Sequence, residues 1–142
     1  MGIYFLVLTL VLAWVFGLLG LQAPGQPADA SLAVSLLHWM FYLPAGWMFL
    51  VSGIMHTVFA KSTAKNIGWK TNGFQYELGF VSLGLGAAGI LAAYRGSGSW
   101  LELTIIISAF LVLAGINHIV EMVRKKNFSL RQSAISLTKR ID

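Results

Sequence analysis

The chain has no cysteine, which excludes disulfides, thiolate metal sites and CxxC redox chemistry. Charge is scarce as well: five acidic and ten basic residues make up 11% of 142 positions. A soluble domain of this size carries about a quarter charged residues, so the expected solvent is bilayer. A phosphate loop, a nucleophile elbow, a zinc-protease helix and a dinucleotide fingerprint are all missing. Gly84-Leu85-Gly86-Ala87-Ala88-Gly89 does spell GxGxxG, but it lies inside an apolar run with no strand before it. It cannot cradle a pyrophosphate there.

Apolar sequence is what the chain has in abundance. Hydrophobic residues make up 57% of it and the mean hydropathy is +0.75, which gives room for four spans of about 20 residues each. The expected fold is all-α: an integral membrane four-helix bundle in one domain, residues 1–124, with spans near 3–21, 32–60, 73–94 and 100–123. Residues 125–142 are expected to form a basic amphipathic cytoplasmic tail, with Leu130, Ala134, Leu137 and Ile141 on one face. Ala28-Asp29-Ala30 resembles a signal-peptide cleavage site. No Lys or Arg precedes Ile3, however, and the apolar run exceeds a usual signal core, so an uncleaved helix is expected.

Local signals divide the spans. Pro24, Gly25, Pro27 and Asp29 mark the first linker. Pro44, followed by Ala45-Gly46, predicts a kink or an interfacial first turn in the long second stretch. Residues 61–73 read as a loop carrying Lys61, Lys65 and Lys70, closed by an Asn72 cap with Gln75 three positions on. Gly79, Ser82, Gly84, Gly86, Ala88, Gly89 and Ala92 give the third span small residues that suit close helix packing. Arg95-Gly96-Ser97-Gly98 is a tight turn, and Ser99 to Glu102 fits a capping box. The first linker holds no Lys or Arg and the last turn only Arg95, whereas the 61–73 loop holds three and the C-terminal segment six. The positive-inside rule then predicts an N-in/C-in topology. The net charge of +5 fits anionic lipid better than nucleic acid, which is not an expected partner.

Against this background the ionisable groups stand out. By a helical rise of about 1.5 Å per residue, His56, Glu77, His118 and Glu121 lie within about 9 Å of the cytoplasmic ends of three spans. Gln75 and Asn117 belong to the same layer. His118 and Glu121 are three apart and share a face, and Glu77 shares one with Gly84 and Ala88. Ionisable groups in hydrocarbon are costly and mark candidate sites. Glu77 and His118 are the expected central contacts, completed by His56 and Glu121. A single divalent metal ion would accept these four ligands. Proton handling and binding of a small polar ligand are the other options. So is plain interhelical hydrogen bonding, at about 0.6 kcal/mol per bond. His38, eighteen residues from His56, is about 27 Å away along a straight helix and cannot join the cluster. It reads as an interfacial histidine beside Trp39 and Tyr42, and no second histidine at its depth offers bis-histidine haem ligation.

Ser52-Gly53-Ile54-Met55-His56, Ile67-Gly68-Trp69 and Phe74-Gln75-Tyr76-Glu77-Leu78-Gly79 occur in that order. This pattern resembles a family of small uncharacterised prokaryotic four-helix membrane proteins, DoxX-like in layout. The resemblance implies an architecture, a prokaryotic inner-membrane location and attention to His56, Gln75 and Glu77, but no established activity. DoxX-like proteins have been linked to quinone or thiosulfate oxidation, and the lack of cysteine here disfavours a thiol version of that role. Function is therefore expected to be a cytoplasmic-side His/Glu pocket for a metal ion, proton or small polar ligand. The alternatives are a non-catalytic accessory subunit, paired with membrane proteins or with itself, and a quinone- or lipid-linked membrane enzyme.

Overall fold

The computed structural model describes residues 2–66 and 70–125. Ile67-Gly68-Trp69 and the tail beyond Lys125 lie outside the described residues. Those described form helices joined by short turns, with no strand among them. In chain order the helices are α1 (Gly2–Leu18), α2 (Leu32–Thr57), α3 (Ala60–Asn66), α4 (Gly73–Arg95) and α5 (Trp100–Lys125).

α1 is apolar around its whole circumference. Its buried Thr9 hydroxyl donates to the Leu6 carbonyl at 2.9 Å. The helix stops at Gly20, whose φ of 70° is left-handed, and the Leu21 amide donates back to Phe16 at 3.0 Å. This is the six-to-one bond of a Schellman end. α2 starts on Ser31, whose hydroxyl accepts from the Val34 amide at 3.4 Å. Pro44 has no N–H to donate and its ring crowds the carbonyl four residues back. Around it, Phe41–Trp47 widens into a π-helical turn, and α-helix resumes at Met48.

The second helix ends at Thr57, and the stretch read as a loop begins with the helix α3. Ala60 and Ala64, one turn apart, are buried, and the Thr63 hydroxyl donates to Met55 at 2.8 Å, folding α3 back over the end of α2. Alanine spaced by four among lysines suits a short half-buried helix, a pattern that the lysine count obscured. α4 begins as predicted, with the Asn72 side chain accepting from the Gln75 amide at 3.2 Å.

The core lies between α2 and α4. A Cβ at Gly89 would meet the Ala45 carbonyl carbon and oxygen at 2.5 Å, and one at Gly86 would meet the Leu50 nitrogen at 2.6 Å. The two backbones therefore touch, with Gly79, Ser82, Gly86, Gly89 and Ala93 buried along one stripe of α4. Gly84 is the exception to the expected packing role: it faces open space. α1 joins this pair through Ala13 and through Phe16, whose ring meets Trp39 edge-on at 4.9 Å.

α5 is attached mainly near its start. Its Trp100 indole N–H donates to the Ala92 carbonyl at 3.0 Å, and Leu103 and Ile107 are buried. Phe110 packs on Phe49 with ring centroids 5.6 Å apart. Only 6% of its apolar stretch is buried within the molecule, against 50% for α2.

Among the described residues three helices, Leu32–Thr57, Gly73–Arg95 and Ser97–Glu121, are long and apolar enough to cross a membrane, while the apolar stretch Tyr4–Leu18 of α1 is shorter. The 17 residues of α1 reach about 25 Å, short of a hydrocarbon core of about 30 Å.

Replacing Gly89 by valine should lower stability by about 1–3 kcal/mol through overpacking. Gly84→Ala should leave it unchanged or raise it by up to about 1 kcal/mol through helix propensity. Denaturant unfolding in detergent micelles checks both, and equal losses at the two positions would refute the packing stripe.

Candidate functional site

The six residues singled out from sequence do not all converge. His56 lies in the last turn of α2, half-buried, and its Nδ1 has no hydrogen-bond partner. It is within electrostatic reach of His118 on α5. Glu121 is half-buried one turn beyond His118 on the same helix. Two imidazoles from two helices thus share one end of the molecule, with a carboxylate beside them.

Glu77, expected as a central contact, is exposed on α4. It is two residues before buried Gly79, or about 200° around the helix from the stripe that faces α2. Its companion Gly84 is exposed with it, so their shared face marks the outside of the bundle. Asn117 is exposed on α5. Gln75 is a structural tie: its side-chain amide donates to the Ala60 carbonyl at 2.7 Å, joining α4 to α3. Among the described residues no group of three or more His, Asp or Glu side chains is placed to hold a metal ion.

At the opposite end, His38 is buried, 1% exposed, with its ring edge-on to Trp100 at 5.0 Å and 88°. Its Nδ1 also lacks a hydrogen-bond partner. The neighbouring aromatics Trp39 and Tyr42 pointed to a water-facing level. Trp100, 62 positions on, covers the ring instead, and nothing local to His38 signals that contact.

An all-helical chain with three membrane-length apolar helices has the make-up of a polytopic helical membrane protein. The chain belongs to DUF6790, a family of unknown function, and the match covers residues 3–141. No curated protein and no solved structure matches it.

Gln75→Ala should cost about 0.5–1.5 kcal/mol, the net worth of the hydrogen bond by which it ties α4 to the Ala60 carbonyl. Glu77→Ala should change stability by no more than about 0.5 kcal/mol, as for other exposed positions. The two variants compared by thermal melting in one detergent test this contrast.

Proposed function

We propose that this is a four-span membrane protein, DoxX-like in layout, in which His56 and His118 form a polar site at the cytoplasmic end that takes a proton or a small polar ligand. The observation behind this reading is the half-buried His56, with an unbonded Nδ1, within electrostatic reach of His118, which is exposed on another helix. Histidine is the side chain whose ordinary pKa lies closest to neutrality. A proton on one imidazole is opposed by a proton on a second within electrostatic reach. Glu121 is the carboxylate best placed to balance a charge on the pair. A metal reading needs a third ligand beside the two imidazoles, with Glu121 the nearest candidate by sequence.

Histidine resonances followed through a pH titration test the site. The His56 resonances should follow a different pH course in His118→Ala than in wild type, because the second imidazole acts on His56. An unchanged His56 course in His118→Ala would end the proposal. Equilibrium dialysis against zinc distinguishes a metal: stoichiometric uptake lost in both His56→Ala and His118→Ala would make the ligand a cation.

The topology in this proposal is N-in/C-in, and the lack of native cysteine makes it directly testable. A membrane-impermeant maleimide should label Ala28→Cys in intact cells, and Ser62→Cys only after permeabilisation. The reverse pattern would put the His56 end on the outside.

A second reading, an accessory subunit, draws on the outward-facing polar groups. Glu77, Asn117 and His118 are exposed on helices whose outer surface is mainly apolar. Polar groups at membrane depth commonly face protein or a water-filled cavity rather than lipid. Copurification of a stable larger complex from native membranes would favour this reading, and a solitary monomer would count against it.

A further inference from the structure

A cavity of about 310 Å³ lies at the end of the molecule opposite His56, where the first linker, the start of α2, the end of α4 and the start of α5 meet. This is at the lower end of the usual volume range for small-molecule sites. Its lining includes Val34, His38, Tyr94, Arg95, Ser97 and Trp100.

Three features distinguish it from a packing gap. The first is the polar group inside it. His38 lines the cavity, is 1% exposed and leaves Nδ1 without a partner. Buried nitrogens are seldom left so without a ligand or water to meet them.

The second is charge. Arg95 is the sole charged residue in the lining, which contains no carboxylate. No ion pair to a described residue engages it. A guanidinium presents a planar fork of donors suited to a carboxylate or phosphate. Tyr94 and Ser97, on either side of it in sequence, also line the cavity. The Trp100 N–H is already committed to the Ala92 carbonyl, so this side chain offers the ligand only its apolar ring.

The third is a fixed rim. Gly25 has a left-handed φ of +77°, and a Cβ there would meet the Ala93 oxygen at 2.4 Å and the Tyr94 Cα at 2.6 Å. The linker is pressed against the end of α4 at that point. It is pinned by the Trp39 indole N–H donating to Leu21 at 3.0 Å and by the Ala23 amide donating to the Gln26 side chain at 2.9 Å. The opening is therefore bounded by tied backbone.

We propose that this cavity binds a small molecule with one acidic group, carboxylate or phosphate, paired to Arg95 and hydrogen-bonded to His38 over the Trp100 ring. The acidic group can come from a free anion or from a lipid headgroup, since the cavity opens at the end of the helices. Nothing in this inference depends on the His56–His118 pair.

Isothermal titration calorimetry on the purified full chain in a nonionic detergent provides the test. One arm titrates inorganic phosphate and acetate, and the other a soluble short-chain phosphatidylglycerol. Wild type should bind saturably in at least one arm, while Arg95→Gln and His38→Phe bind about tenfold more weakly or worse, as expected for loss of a charged hydrogen bond. Saturation by phosphate or acetate identifies a free acid, and saturation by the phosphatidylglycerol alone identifies a headgroup. His56→Ala should bind like wild type, which keeps this site separate from the other. Should His38→Phe fail to fold, His38→Gln and the exposed Arg95→Gln carry the comparison. No saturable heat in either arm, or equal affinity in Arg95→Gln, overturns the proposal.

Discussion

The contact on which the fold depends is backbone against backbone, where Gly79, Gly86 and Gly89 of α4 meet α2. Between helices surrounded by lipid there is little hydrophobic drive to associate, because lipid tails are as apolar as leucine. Attraction must then come from close van der Waals contact, and side chains at these positions would hold the axes apart. The Ala45 carbonyl sits where a Gly89 Cβ would be. The π-helical turn around Pro44 lies in the same stretch of α2, so the segment strained by proline is also the one that α4 supports.

The rest of the molecule is arranged around that pair. α1 comes to it through Ala13, Phe16 and Trp39, and α5 through Trp100, Leu103 and Ile107. The two ends differ in chemistry. One is aromatic, with Trp39, Tyr42, Tyr94 and Trp100 around a buried imidazole and a single arginine. The other carries Lys61 and Lys65 on α3 and His56 in the last turn of α2, with His118 and Glu121 far along α5. Polar groups gathered at opposite ends of an apolar molecule can meet different solutes without sharing a passage.

Much of the fold was legible because helix ends announce themselves in sequence. Asn72 capped where it was expected to, and the tight turn at Gly96 ended α4. Rotation about each axis was the illegible part. α4 is apolar nearly all round, so hydrophobicity marks no inner face, and the deciding property is smallness of side chain. Five small positions form the buried stripe, while Gly84, equally small, belongs to the outer face that carries Glu77. On α2 the burial of His38 needed Trp100, which local sequence cannot supply. The short helix α3 was hidden by its lysines, since two buried alanines carry little hydrophobic signal. His118 and Glu121 lie on one continuous helix, where a spacing of three brings two side chains to the same side whatever the partners do.

The shallow attachment of α5 has a geometric consequence for the His56 end. Phe110 is the last of its side chains seen to pack on the core, and His118 lies eight residues further on, about 12 Å along the axis. Over that distance a difference of about 10° in the tilt of α5 corresponds to about 2 Å at His118. That displacement is comparable to the difference between two rings in hydrogen-bonding range and two rings apart. The angle at which α5 packs would therefore bear directly on how far His118 stands from His56.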